Sequence, residues 1–327
     1  MKRIYLHIGY PKTGTTAIQM FLRSNWESLI EQGIYYPVDP MLESKRYPGN
    51  LLPLVVSLND SLNNPDGIEY SAEVLYSRLI ENVEKYDCPI NIVSAEDYYR
   101  ISSADITELH KQLRDYECKI IIYLRRQDKF VTSIYFEAVK SGHLHYCMQS
   151  EEELYENYDL TTLLYDSYLD RWIEVFGREN IIVRLYEPKR FPEGNVIFDF
   201  ADIVGIDLEH TSIPDRINVS IDRETCVLLQ HIYLMHGDGS SKNVRELANK
   251  ILESAKSNKH SQGLISFLSP EQRKNFLNQF VDSNKIFADQ FFKGHLFDLS
   301  DLDREIWEPF KGISPETIAT LIRKVAG

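Results

Sequence analysis

Gly9-Tyr10-Pro11-Lys12-Thr13-Gly14-Thr15-Thr16 gathers one lysine, three threonines and two glycines where a short apolar run gives way to a helical pattern. A loop of this kind turns backbone N–H groups inward. The helix N-terminus behind it adds positive potential, so phosphate or sulfate oxygens suit it. Gly14 lets the backbone close around an anion, Lys12 adds a mobile charge, and Thr15 and Thr16 can offer hydroxyls. Gly9 and Gly14 stand at the separation of GxxxxGK[ST], but Thr15 occupies the lysine position and Lys12 lies upstream of Gly14. The same residues would also serve an ordinary strand-to-helix turn with a threonine cap. A second chemical cluster, Glu96-Asp97, follows the apolar run Ile90-Asn91-Ile92-Val93. It falls at the carboxyl edge, where open α/β sheets bind ligands. Glu96 there is either a proton acceptor or a capping or salt-bridged carboxylate.

These residues need elements to hold them. Arg3–Ile8 reads as a strand, and apolar residues from Thr16 to Ile30 recur at helical spacing up to Gly33. The grammar repeats. Ile90–Val93 is a buried strand followed by a helix from Ala104 to Tyr116. Lys119–Leu124 is another strand, leading into a helix from about Asp128 to Ser141. Ile181–Leu185 is a strand, and Asn195 to Val204 a helix closed by Gly205. Continuous apolar strands alternating with helices predict a parallel sheet covered on both faces, a P-loop-like α/β fold. Residues 37–70 are proline-rich around one apolar piece, Leu51–Leu58, and residues 143–160 are rich in Tyr and Glu. Beyond about Asp207 helices dominate: Glu224–Met235, Val244–Ser254, Pro270–Phe292 and Pro315–Val325. We expect one domain over 1–327, with an α/β nucleotide-binding core at 1–205 and a mainly helical C-terminal subdomain at 206–327.

Pro11-Lys12-Thr13-Gly14-Thr15-Thr16 resembles the phosphosulfate-binding loop of sulfotransferases that use 3′-phosphoadenosine 5′-phosphosulfate (PAPS). The resemblance implies that Pro11 to Thr16 hold the phosphosulfate and that Lys12 steadies the leaving group. It extends to Leu124-Arg125-Arg126-Gln127-Asp128, with Ser133 eight positions after Arg125. In that family an arginine and a serine so spaced hold the cofactor's 3′-phosphate. A guanidinium fork with a hydroxyl one helix turn further in is a sound phosphate cage. Arg126 is expected to be exposed or to face the acceptor, and Asp128 to favour the helix dipole. Leu185-Tyr186-Glu187 is similar to the family's Tyr-Glu after a strand, which implies that Tyr186 lies near the nucleotide. Arg216-Ile217-Asn218-Val219-Ser220 and Phe280-Val281-Asp282-Ser283-Asn284 resemble segments of bacterial carbohydrate sulfotransferases. The histidine base of the family's small-molecule branch is absent, because Ser94 and Glu96 replace its Lys-x-His. Glu96 is then the implied base, with Glu43, Asp97 and His143 as other candidates. His145 is a further loop histidine that an acceptor cleft could use.

The implied reaction moves a sulfuryl group from PAPS to an acceptor hydroxyl, on a carbohydrate or glycolipid, and releases adenosine 3′,5′-bisphosphate without a metal. Residues 37–70, 143–160 and parts of the helical C-terminus would build the acceptor cleft. A P-loop kinase would need lysine directly before the loop Ser/Thr, and a silent nucleotide-binding scaffold would not need Lys12 and Arg125. Composition limits the partners. With 36 Lys and Arg against 49 Asp and Glu, the 327 residues carry a formal charge of -13, which disfavours nucleic acid. The four cysteines are dispersed without a CxxC pair, so they read as buried thiols in a reducing compartment. The start Met1-Lys2-Arg3 lacks a signal-peptide apolar region, and no run spans a bilayer, so a cytoplasmic location is expected. Oligomeric state leaves no trace in the sequence.

Overall fold

The computed structural model describes all residues except 60, 63, 215–220, 238–241, 258–265, 295, 316 and 319–327. Its described residues form two compact units. The first holds Met1–Arg125 and Tyr165–Ile217, the second Arg126–Leu164 and Asn218–Gly327.

The first unit is built on five parallel strands: β1 (Arg3–Ile8), β2 (Ile34–Tyr35), β3 (Ile90–Ala95), β4 (Glu117–Leu124) and β5 (Ile181–Leu185). They lie in the order β2-β3-β1-β4-β5. The expected parallel α/β sheet is therefore what this chain forms. Central strands carry side chains into cores on both faces, which is why Ile4, Leu6, Ile8, Ile92, Val93 and Ile120–Leu124 are buried with almost no polar interruption. From β1 the chain turns toward β2, whereas from β3 it crosses to β4. Right-handed crossovers send these two connections to opposite faces, so a crevice opens at the carboxyl ends of β1 and β3. Helix α1 (Thr15–Ser24) packs on the helix Val196–Val204, and Ser103–Gln112 packs on Tyr165–Phe176.

The expected first helix is broken. Asn25 ends α1 and a second helix runs from Trp26 to Glu31. Asn25 is buried, and its amide bonds the Phe21 carbonyl at 2.8 Å and the Ser212 carbonyl at 2.9 Å. The side chain thus competes for backbone groups that a continuous helix would use. Within the proline-rich stretch, Leu52–Val56 is helical. Buried Asp39 anchors the start of that stretch, accepting from Arg78 at 2.8 Å and Asn82 at 2.9 Å.

No strand occurs among the described residues of the second unit. Its larger helices are Gln127–Lys140, Glu151–Asn157, Arg223–His236, Lys242–Ser257, Pro270–Leu277 and Val281–Phe291. The helix expected at 315–325 lies mostly outside the described residues. Arg126 departs from expectation, whereas Asp128 lies in the first turn of the helix Gln127–Lys140 as expected. Arg126 is 1% exposed and Asp128 fully buried. The Arg126 guanidinium grips Asp128 at 2.6 and 2.9 Å and Asp301 at 2.5 and 3.1 Å. Arg273 reaches the same Asp128 carboxylate at 2.8 and 3.0 Å and Glu305 at 2.7 Å. A buried charge persists only when paired and hydrogen-bonded, and this network meets that condition. Burial would raise the Asp128 carboxyl, but Arg126 and Arg273 hold it below the usual range. Beside it, buried Glu151 accepts from Thr132 (2.6 Å), Ser266 (2.8 Å) and the Phe267 N–H (2.6 Å). All four cysteines are free and buried, as expected.

Candidate functional site

The loop after β1 has unusual backbone geometry. Lys12 sits at φ 61° and Gly14 at φ 83°, both left-handed. Gly14 is the N-cap of α1 and offers no side chain to it, so the first N–H groups of the helix face the loop without a cap. Two glycines are steric requirements here. A Cβ on Gly9 would lie 2.5 Å from Thr15 Cγ2 and 3.2 Å from Glu96 Cα, and one on Gly14 would lie 2.8 Å from Val196 and 3.2 Å from the Tyr186 ring. The Glu96 backbone thus lies close to Gly9, and the Tyr186 ring close to Gly14.

The threonines divide their work. The Thr13 hydroxyl donates to the Tyr10 carbonyl at 2.5 Å, and the Thr15 hydroxyl reaches the same carbonyl at 3.4 Å. Both side chains are buried and lock the loop from inside, while Thr16 is exposed at the helix start. Pro11 is buried and Lys12 half-buried.

Arg125 comes to this loop from the end of β4. Its Nη1 donates to the Lys12 carbonyl at 3.0 Å, and its guanidinium carbon lies 5.6 Å from the centre of the Tyr186 ring. A cation over a tyrosine face is held with an energy of order 1 kcal/mol. Tyr186 continues β5, its N–H bonded to the Leu124 carbonyl at 2.7 Å. Lys12, Gly14, Arg125 and Tyr186 are thus brought together at one sheet edge. Ser133 is half-buried on the helix Gln127–Lys140, in the second unit.

The candidate bases are placed differently. Glu96 is half-buried and opens the 3-10 turn Glu96–Arg100 directly after β3. Asp97 faces Arg100 at 3.6 Å; burial pushes its carboxyl up, and Arg100 only partly offsets that. Glu43 is occupied by an ion pair with Arg23 and by the Gly49 N–H at 2.5 Å, which makes it a brace for the 37–50 segment. His143 and His145 are exposed in the second unit. Arg216 and Asn218 lie outside the described residues, and Asn284 pairs with Gln127 at 2.7 Å. Among the described residues no cluster of metal-binding side chains occurs, and no helix is long and apolar enough to cross a membrane.

Two features escaped sequence reasoning. Behind the loop, Tyr10 is ringed edge-on by Tyr99, Tyr165 and Tyr168 at 5.5–5.9 Å. Beneath it His7, fully buried on β1, bonds Ser94 Oγ at 2.8 Å. The second unit also contains a cavity of about 400 Å³ lined in part by Tyr135, Gln149, Glu151, Gln230, Phe267 and Gln272.

No family profile matches the chain. An uncharacterized protein of Archaeoglobus fulgidus is 32% identical over 235 residues, which is 71% of this chain. The chain spans 62% of that protein's length. A solved sulfotransferase from Alicyclobacillus acidocaldarius aligns over 67% of this chain and 87% of its own, at 18% identity and a TM-score of 0.38. That score is too low to bear on fold or chemistry.

Proposed function

We propose that this protein transfers a sulfuryl group from PAPS to a hydroxyl of a sugar or glycolipid acceptor. One observation carries the reading: Arg125 is hydrogen-bonded to the main chain of Lys12 and lies over the Tyr186 ring, at a loop whose Gly9 leaves no room for a side chain beside the Glu96 backbone. That is one anion loop, one fixed guanidinium, one aromatic face and one carboxylate at a single sheet edge. In the proposed reaction Pro11 to Thr16 and the start of α1 receive the phosphosulfate, Arg125 the 3′-phosphate, and Tyr186 the nucleotide. The acceptor oxygen bonds to sulfur while its proton passes to the Glu96 carboxylate. The bond from sulfur to the 5′-phosphate oxygen breaks, and that oxygen keeps the electron pair. Lys12 meets the charge that develops there.

Adenosine 3′,5′-bisphosphate should raise the melting temperature by linkage, and adenosine 5′-monophosphate far less. Equal shifts from both nucleotides, or a larger one from ATP with Mg²⁺, would replace this reading with a phosphotransferase.

A further inference from the structure

We propose that Tyr165 is a positioning residue that fixes the Arg125 guanidinium and the Lys12 loop as one rigid piece. The proposal deepens the sulfotransferase reading and takes from it only the ligand. Leu124 is the last residue of β4, and its carbonyl accepts the Tyr186 N–H. The next carbonyl, on Arg125, lies past that ladder and accepts a hydrogen bond from the Tyr165 hydroxyl. Arg125 is therefore held at both ends, by Tyr165 at its main chain and by the Lys12 carbonyl at its guanidinium. The Tyr165 ring has a second task. It stands edge-on to Tyr10, 5.9 Å away at 87°, and the Tyr10 carbonyl accepts both Thr13 and Thr15 hydroxyls.

One side chain thus braces the arginine and the loop from behind. Tyr165 is itself immobilised: it is fully buried and begins the helix Tyr165–Phe176, which packs on Ser103–Gln112 and β5. The consequence is directional. A guanidinium is a planar fork of five donors. Fixing one edge on Lys12 and its main chain on Tyr165 fixes the plane of that fork. Such preorganisation saves the entropy of ordering a long side chain at the moment of binding.

Tyr165→Phe keeps the ring against Tyr10 and removes only the hydroxyl. The variant should keep its fold and weaken adenosine 3′,5′-bisphosphate about 3- to 10-fold, the worth of one hydrogen bond. Binding of adenosine 5′-monophosphate should be unchanged. In an Arg125→Ala background the same substitution should add nothing, because the group it positions is gone. An equal loss for both nucleotides, or a loss that persists without Arg125, would mark Tyr165 as merely structural and overturn the proposal. Nuclear relaxation of the Arg125 Nε–H in the nucleotide-free protein tests the brace without a ligand. It should be rigid in the wild type and mobile in Tyr165→Phe; equal rigidity in both would overturn the proposal. A wild type that binds neither nucleotide would instead sink the sulfotransferase reading, and the relaxation measurement would still decide the brace.

Discussion

Lys12 holds a left-handed backbone conformation that costs an L-residue about 1–2 kcal/mol and glycine almost nothing. Its side chain and its backbone can therefore be tested apart. Lys12→Ala and Lys12→Gly both delete the ammonium, so both should weaken the nucleotide modestly and lower turnover strongly. They should differ in stability, with the glycine variant more stable by roughly 0.5–1 kcal/mol, since strain relief exceeds the entropy glycine loses. Chemical denaturation of the two proteins checks this. Glu96 should fail in another way. Glu96→Gln keeps the shape of the 3-10 turn but not the proton acceptor, so turnover should fall about 10²–10⁴-fold with nucleotide affinity and melting temperature near wild type. Turnover that survives would leave Glu96 as a structural carboxylate and send the search to Asp97, since Glu43 already braces Arg23 and Gly49.

In β1 the informative residue is His7. Burial depresses its pKa from 6.5 to about 3, with Nδ1 on Ser94 and no hydrogen-bond partner on Nε2. The folded protein holds this imidazole neutral, while the unfolded chain takes up a proton below about pH 6.5. Its stabilising contribution is present above pH 6.5 and declines as pH falls toward the folded pKa, by up to about 1.4 kcal/mol per pH unit. His7→Asn retains a partner for Ser94 and removes the titration, so its unfolding free energy should vary less between pH 6.5 and 5. The strands were legible for the reason that makes His7 unusual: central parallel strands are apolar on both faces, and β1, β3 and β4 read so directly, while the edge strand β5 still carries the apolar run Ile181-Ile182-Val183. β2 was not, because two residues at the sheet edge carry no period. The helices Ala72–Tyr86 and Tyr165–Phe176 went unread although a signal existed. Leu75, Leu79 and Val83, and Tyr165, Tyr168, Leu169, Trp172 and Phe176, each mark one buried helical face. In the first, five charged residues from Glu73 to Lys85 dilute the stripe. The loop, Arg125 and Tyr186 could be picked out because local motifs carry them. The Tyr165 hydroxyl could not, since its bond to the Arg125 carbonyl spans 40 residues.

At the scale of the whole molecule, the second unit depends on charges brought together from distant parts of the chain. A local reading takes Arg126 for a solvated surface charge, yet it is buried, and the partner that completes its cluster, Arg273, is 145 residues beyond Asp128. Arg273→Ala would leave the Asp128 carboxylate short of one of its two guanidinium partners in a fully buried site. The expected loss is about 3–5 kcal/mol, the cost of breaking one side of a buried pair, read as an earlier urea transition. The wild type should also lose stability as acid protonates Asp128: its folded pKa is lowered, so the contribution is complete above the unfolded carboxylate range and fades as pH falls through the folded value. The discontinuous layout of that unit has a temporal side. A ribosome delivers residues 126–164 well before residues 218–327, and at about 5–20 residues per second Asp128 waits on the order of ten seconds for Arg273. During that interval the nascent segment carries a carboxylate and an arginine destined for the interior but lacking their cover. Chains stalled just short of residue 273 should therefore be cleaved by protease within 126–164, and chains extended past Glu305 should resist.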